Sequence, residues 1–187
     1  SHARADFGWG PLHARAFYTG IDGSAGTWYY KTGATNLGGA VNSDVLDTTI
    51  DGYWRLGQTG NHQLAAGVGY RYKTVEWDFL AEPSYQQHHL NGYIQDQADL
   101  GPVIVNAAAR VDKHPLITQP LPSARLALIV KVGEGRSVRL NGGTAFRTPT
   151  FMESYSHIYI DTDTDGIYAL SHGDDDLLPE RIAAIEA

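Results

Sequence analysis

The sequence contains no cysteine, little charge and no long apolar run. Without cysteine the chain has no disulfides, no thiol catalyst and no cysteine-bound zinc. No stretch approaches the roughly 18 apolar residues that a transmembrane helix requires. A strand that spans a membrane is not excluded, because its lipid-facing residues occupy only every second position. The 14 basic and 21 acidic side chains give a net charge of −7, which argues against nucleic-acid binding.

The abundant residue types favour strands and turns. Hydrophobic residues make up 42% of the 187 positions, which argues against disorder. Glycine occurs 21 times and tyrosine 11 times, whereas charged residues make up only 19%. Aromatic residues favour β-strands and glycine favours turns. Composition therefore predicts an all-β chain.

Both ends of the chain suggest an unfinished pattern. It opens on Ser-His-Ala-Arg without a charged and then apolar signal segment. It closes on Pro179 and Glu180 followed by the strand-like start of residues 182–187. We expect an internal piece of a longer chain, and the alternative is a short protein with frayed ends.

Apolar and polar residues alternate along most of the chain. In residues 123–132 one parity holds Ala124, Leu126, Leu128, Val130 and Val132, and the other holds Arg125 and Lys131. Such alternation is typical of a strand with two different faces. It predicts strands over residues 13–20, 45–56, 63–73, 90–100, 103–112, 123–132 and 138–147, and an eighth strand after Pro179.

The connections alternate between short and long. Short turns are predicted at residues 57–61, 101–102 and 133–136, and long loops at residues 21–44, 74–89, 113–121 and 148–179. Consecutive antiparallel strands then place all tight turns at one end and all long loops at the other, which is the layout of outer-membrane barrels.

Apolar and polar residues would also alternate along the strands of a soluble sandwich or a lipocalin-like barrel, with the apolar residues facing the interior. The predicted strands are close to the 9–11 residues that cross a membrane, longer than most soluble strands. The polar parity carries few charges beyond Arg110, Arg125, Arg139 and Arg147, as expected of an enclosed wet lumen. Trp54 near a turn and Tyr70 and Tyr72 near a loop suit interfacial aromatic girdles. These features favour a transmembrane barrel.

Four motifs in register carry a family resemblance. The string Phe146-Arg147-Thr148-Pro149-Thr150-Phe151, with Glu153 soon after, resembles the barrel motif of TonB-dependent outer-membrane receptors. The other three motifs are Tyr93-Ile94-Gln95-Asp96, Ala109-Arg110-Val111-Asp112 and Leu178-Pro179-Glu180. The resemblance covers residues 44–187.

The resemblance implies an antiparallel up-and-down transmembrane β-barrel segment, about eight strands of a larger 22-strand barrel. All of residues 1–187 would belong to the barrel of the receptor, and the plug domain would be absent from this chain. The implied function is uptake of a scarce nutrient, most commonly a ferric siderophore, across the outer membrane of a Gram-negative bacterium. The implied partners are the plug domain of the same full-length chain, a TonB-type periplasmic energy-coupling protein, outer-membrane lipid and a small nutrient ligand. No enzymatic activity and no cofactor are expected.

The same resemblance suggests roles for individual residues. Arg110, Arg125, Arg139 and Arg147 would face the lumen and bind the plug by charge-assisted hydrogen bonds, or simply make the lumen polar. The motif residues Phe146, Arg147, Pro149, Glu153, Pro179 and Glu180 are expected to be structural, with Pro149 ending its strand because it has no N–H for the ladder.

The segment 148–179 is acidic. Asp161, Asp163 and Asp165 alternate before Gly166, as in a calcium loop, but His172 stands where an EF-hand requires Glu. A looser Ca²⁺ site and a simply solvated loop remain as alternatives. Tyr155, Tyr159 and Tyr168 are candidate ligand contacts in this outer loop. A soluble all-β module with a calcium-binding loop is the alternative function.

Histidines and serines of this segment give weaker signals. For His88, His89, His157 and His172 no spacing enforces convergence on a metal, so we expect loop histidines without a site. Nothing resembles a nucleophile elbow, so catalysis is not expected.

Overall fold

The computed structural model describes residues 1–24, 28–30, 33–35, 40–56, 60–162 and 164–187. The elements in chain order are β1 (His2–Trp9), β2 (Leu12–Ser24), β3 (Trp28–Tyr30), β4 (Gly33–Thr35), β5 (Ala40–Leu56), β6 (His62–Trp77), β7 (Ser84–Asp99), β8 (Val103–Lys113), β9 (Leu121–Gly133), β10 (Arg136–Arg147), α1 (Phe151–Tyr155), β11 (His157–Asp161), β12 (Tyr168–His172) and β13 (Glu180–Glu186). Within these residues, no helix is both long and apolar enough to span a membrane.

Nine strands form one antiparallel sheet in the order β1-β2-β5-β6-β7-β8-β9-β10-β13. Two small hairpins, β3-β4 and β11-β12, lie within long connections. In the described part of the chain β1 and β13 each pair with a single neighbour, so the sheet is open. The all-β, up-and-down prediction is confirmed.

The strand register collects the apolar parities on one face of the sheet. Leu128 of β9 pairs with Val105 of β8 on one side and with Leu140 of β10 on the other. Directly paired residues project to the same side, so these apolar side chains form a continuous row. The same register places other large apolar residues on this face: Phe7, Trp9, Ile50, Val68, Leu90, Ile94, Val111 and Leu126.

The opposite face is polar, and Arg125 and Lys131 lie on it, as the alternation predicts. The apolar face is uncovered: Leu126 is 49% exposed and Val68 is 61% exposed. A soluble sandwich would bury these side chains between two layers. No second layer covers them in the described ranges, so the soluble alternative is not supported.

Aromatic side chains border the apolar face at both ends. Trp9 and Trp54 lie next to tight turns, and Tyr18, Tyr70 and Tyr72 lie towards the long loops. Along β6 the two borders are about 20–27 Å apart at the usual rise per residue, similar to the apolar band of outer-membrane barrels. The register therefore places Trp54, Tyr70 and Tyr72 at the borders where the sequence predicts aromatic girdles.

A charged residue interrupts the apolar face near the tight turns. Asp96 lies on it near the turn end of β7, and its Oδ2 is 2.7 Å from Nδ1 of His62 on β6. The imidazole of His62 gives the Asp96 carboxylate a polar partner on this otherwise apolar face. The irregular parity of residues 90–100 thus has a local explanation.

The alternation in the sequence predicts neither β1 nor the full length of several other strands. The sheet has nine strands rather than about eight, because β1 pairs with β2 through a turn at Gly10, whose φ is +58°. The apolar parity of β1 begins with Ala3 and Ala5, which weaken the signal. Strands β5, β6 and β7 also extend further towards the long loops than their apolar alternation, because polar residues continue the ladder there.

Candidate functional site: the loop end of the polar face

The family motif forms an ion cluster where β10 ends. Nη1 of Arg147 donates to Oε2 of Glu153 at 2.9 Å, and Nη2 donates to Oε1 at 3.0 Å. The same guanidinium donates to Glu180, the first residue of β13, at 2.7 and 3.1 Å. One arginine thereby connects two neighbouring strands and the segment that follows β10. Arg147 lies on the polar face as predicted, but its donors bind within this chain.

Thr150 starts the short helix α1 with a capping box. The N–H of Glu153 donates to Oγ1 of Thr150 at 3.3 Å, and the N–H of Thr150 donates to Oε2 of Glu153 at 2.8 Å. The Arg147 guanidinium, followed by the hydrogen bonds with Thr150, lowers the pKa of Glu153 to about 2. Strand β10 ends at Arg147, before the buried Pro149, as the sequence predicts.

The segment after β10 folds back over the polar face and packs on β6 and β7. Tyr155, Val75 and Leu80 form a buried cluster, against which Trp77, Tyr85, Leu116 and Phe151 pack. The register puts Val75 and Tyr85 on the polar face. We call the packed segments, residues 77–85, 150–157 and 172–174, the loop clasp. It spans from β10 across to β6 and β7 at the end of the long loops.

Backbone hydrogen bonds fix the two halves of the loop clasp. The N–H of Ala81 donates to the carbonyl of Tyr155 at 2.9 Å, and the N–H of His157 donates to the carbonyl of Phe79 at 2.8 Å. A β-bridge between Leu80 and Ser156 lies between these two bonds. The packing is therefore directional and does not rest on apolar contact alone.

Gly173 permits the closest backbone approach in the loop clasp. A Cβ added there would lie 2.5 Å from the backbone nitrogen of Tyr155 and 2.7 Å from that of Ser156. The N–H of Gly173 donates to the carbonyl of Ser156 at 2.7 Å. Only glycine leaves room for this contact. Gly173 therefore allows residues 172–174 to lie directly against the end of α1.

The connection between β8 and β9 lies beside the clasp. Nζ of Lys113 donates to the carbonyls of Ile117 and Thr118 at 2.6 and 2.7 Å, which closes the connection. His114 is 2% exposed, and burial lowers the pKa of its imidazole. Leu116 of this connection packs against the clasp, so three long connections meet at this end of the polar face.

Arginines on the polar face bind residues two positions along the same strand. Arg110 donates through Nε and Nη2 to Asp112, both at 2.7 Å. Nε of Arg139 donates to Oδ1 of Asn141 at 2.8 Å. Residues i and i+2 share a face in a strand, which explains the spacing of the Arg110-x-Asp112 motif. In the described residues Arg125 forms no side-chain hydrogen bond, so its donors remain available.

A tyrosine on the polar face crosses a neighbouring strand. The hydroxyl of Tyr93 on β7 donates to Oδ2 of Asp51 on β5 at 3.3 Å, passing over Gly67 of the intervening β6. A Cβ on Gly67 would lie 2.7 Å from the tyrosine ring. Glycine at this position lets one side chain join three strands.

The predicted ligand tyrosines occupy different environments. Tyr155 is 9% exposed and stacks on Tyr85, so its ring belongs to the loop clasp rather than to an open ligand surface. Tyr159 and Tyr168 are exposed on the β11-β12 hairpin. Sequence spacing does not distinguish these cases, because the distinction depends on which loop packs on which.

The calcium prediction falls largely outside the described residues. Asp163 and the side chain of Asp161 are not described, and Asp165 is exposed. The carboxylates of Asp174, Asp175 and Asp176 lie within 4.8 Å of one another and are exposed. The calcium loop at residues 161–165 therefore remains a prediction.

Two histidines that the sequence does not connect are brought together by the hairpin. His157 and His172 are register partners of β11 and β12, and their Nδ1 atoms are 3.2 Å apart. The sequence spacing does not enforce this contact, and the expectation that the two histidines form no metal site stays a prediction. The missed signal is the alternation of residues 157–161 and 168–172, which makes a hairpin with both histidines at its open end.

Comparison with known proteins agrees with this architecture. A family model described as TonB dependent receptor-like, beta-barrel matches residues 2–187. No curated protein matches the chain. The match covers nearly the whole chain and includes the nine-stranded sheet together with the ion cluster at Arg147. The chain therefore belongs to the TonB-dependent receptor-like β-barrel family, whose members are transporters.

Proposed function

We propose that the chain forms part of the barrel wall of an outer-membrane receptor that takes up a ferric siderophore, or a similar metal chelate, with TonB-coupled energy. The family match supports TonB-coupled uptake across the outer membrane in general. The observation that carries the proposal is a sheet with one uncovered apolar face and one polar face. A sheet of this kind separates lipid from an aqueous lumen.

Each face has its own task in this proposal. The apolar face and its aromatic borders contact lipid in the outer membrane of a Gram-negative bacterium. The polar face contacts the plug domain of the full-length receptor. Further strands of that receptor continue the wall to a closed barrel. Arg125 is the best placed of the lumen arginines to bind the plug, because Arg110 and Arg147 already bind carboxylates within this chain. A TonB-type periplasmic protein supplies the energy.

The loop clasp supports a role in substrate capture. It lies at the end of the long connections, opposite the tight turns, where outer-membrane barrels place their extracellular loops. The β11-β12 hairpin that leaves the clasp exposes Tyr159 and Tyr168. Aromatic rings with a hydroxyl suit a chelate that is apolar on one side and hydrogen-bonding on the other.

Uptake of radiolabelled iron tests the proposal. Cells that lack the gene should lose uptake of one ferric siderophore and regain it with the wild-type gene. A protonophore should abolish the restored uptake, because energy comes from the proton-motive force. Cells complemented with the Tyr159→Ala, Tyr168→Ala double variant should show weaker uptake at low siderophore concentration.

The matched control is Tyr53→Ala, on the polar face near the tight turns and away from the clasp. Unchanged iron uptake in the deletion strain across a panel of siderophores, with loss of cobalamin or saccharide uptake instead, would refute the iron chelate while keeping the transporter. Recovery of the protein in the soluble fraction of fractionated cells would refute the membrane receptor itself.

A further inference from the structure

The base of the β11-β12 hairpin holds a pair of histidines. His157 and His172 lie directly opposite each other, with Nδ1 atoms 3.2 Å apart and rings at 87°. At least one of these two nitrogens carries a lone pair, since only one proton can lie between them. The two Nδ1 atoms are therefore close enough to be ligands of the same ion.

The distance between the two nitrogens suits one metal ion. Zinc–nitrogen bonds are about 2.0–2.1 Å, and two such bonds to atoms 3.2 Å apart enclose an angle of about 100–105°. That angle is close to tetrahedral. Imidazole nitrogens suit Zn²⁺, Ni²⁺ and Cu²⁺ rather than Ca²⁺ or Mg²⁺, which require oxygen ligands.

The ring of His157 is also oriented by a neighbour. Its Nε2 is 3.2 Å from the hydroxyl of Tyr159, and the two rings meet edge to face. When Nε2–H donates to the phenol oxygen, Nδ1 is left with its lone pair towards His172. Metal-binding histidines commonly donate their other N–H in this way, which fixes tautomer and ring orientation.

The backbone that carries the pair is held on both strands. The N–H of His157 donates to the carbonyl of Phe79, and Gly173, next to His172, donates to the carbonyl of Ser156. Both bonds belong to the loop clasp, so the histidines sit where the hairpin joins the packed core. A site built on fixed backbone loses less conformational freedom on binding.

We propose that His157 and His172 bind one divalent late transition-metal ion, with Zn²⁺ as the reference case. Nδ1 of each ring donates to the metal, and Tyr159 positions His157. Water or a donor from a bound ligand completes the coordination. The site is independent of the transported nutrient, so it stands whether or not the receptor takes up an iron chelate.

Calorimetry with ZnCl₂ on the full-length receptor purified in detergent tests the proposal. The wild type should bind one Zn²⁺, and His157→Ala or His172→Gln should weaken the affinity at least about tenfold. The glutamine retains hydrogen-bonding capacity towards His157 but is a poor ligand for zinc. Tyr159→Phe should weaken binding less than either histidine variant. The matched control is His88→Ala, which removes an imidazole that contacts Tyr70 and Tyr72 and should leave binding unchanged.

Circular dichroism of each variant shows whether the sheet is retained, and Ni²⁺ titration provides a second probe. The proposal is overturned if the wild type binds no Zn²⁺, or if His172→Gln binds as tightly as the wild type while folded. It is also overturned if binding is lost only when Asp174, Asp175 and Asp176 are all changed to asparagine, because the acidic cluster would then be the site.

Discussion

The rings of Tyr85 and Tyr155 are stacked, with centroids 3.7 Å apart and planes at 11°. Tyr85 lies at the loop end of β7, and Tyr155 ends α1 in the segment that follows β10. The contact therefore reaches past β8 and β9 and joins β7 to the segment that follows β10, although β7 and β10 do not pair with each other in the sheet. It makes the loop clasp a tertiary feature rather than a property of one loop.

Removal of the tyrosine stack should release the loop clasp without unfolding the sheet. Aromatic pairs contribute about 0.5–1.5 kcal/mol beyond the area they bury, so a double-mutant cycle of Tyr85→Ala and Tyr155→Ala should give a coupling of that size. Limited proteolysis of segment 148–179 measures the release. Tyr168→Ala, on the exposed hairpin, is the control and should leave cleavage unchanged. Strictly additive effects of Tyr85→Ala and Tyr155→Ala would show that the stack does not hold the clasp.

Protonation of Glu153 should loosen the start of α1. Its pKa falls from the ordinary 4.5 to about 2 in the folded chain, so the carboxylate stabilises the fold fully above about pH 4.5. That stabilisation is lost as the pH falls from about 4.5 to about 2. Hydrogen exchange of the α1 amides should therefore show more frequent opening across this range.

Glu153→Gln should remove this pH dependence, because glutamine has no proton to gain. Glu134→Gln in the turn between β9 and β10 is a matched control, and it should retain the wild-type profile. An equal profile for Glu153→Gln and the wild type would mean that the Arg147 pair does not govern the opening of α1.

Gly173→Ala should separate α1 from the segment behind it. The new Cβ would lie 2.5 Å from the backbone of Tyr155, and because backbone atoms cannot move aside like a flexible side chain, we expect a cost of about 1–3 kcal/mol. Thermal unfolding and proteolysis of the clasp measure the loss. Gly133→Ala is the control, since its Cβ would enter open space. A Gly173→Ala variant with wild-type stability would refute the close approach.

Adjacent positions of β9 should respond oppositely to charge. Leu128→Arg places a guanidinium on the apolar face near mid-strand, where lipid-facing arginine costs about 2–4 kcal/mol. Ile129→Arg places the same group on the polar face and should cost much less. Equilibrium unfolding in lipid vesicles measures the loss of unfolding free energy for each variant. Similar losses at the two positions would contradict the assignment of the faces.

Much of the wall follows from the sequence because its signals are local. The alternation of Leu126, Leu128 and Val130 with Arg125 and Lys131 predicts both faces of β9, since side-chain direction in a strand has a period of two. The same rule relates Arg110 to Asp112. The rule fails where alternation is weak. In β1 the apolar parity begins with Ala3 and Ala5, which are too small to stand out from the polar residues between them.

Contacts that depend on register and on loop packing are decided by the tertiary structure. Arg147 and Glu153 are close in sequence, but Glu180 joins them only because β13 pairs with β10. His157 and His172 converge through the register of β11 and β12, and Tyr155 is buried because its segment packs on β7. The sequence by itself thus determined a two-faced antiparallel wall with short turns at one end, since alternation and loop length are properties of neighbouring residues. The ion cluster, the loop clasp and the histidine pair were determined by the tertiary structure alone, because pairing between distant segments depends on the summed packing and hydrogen bonding of the whole sheet.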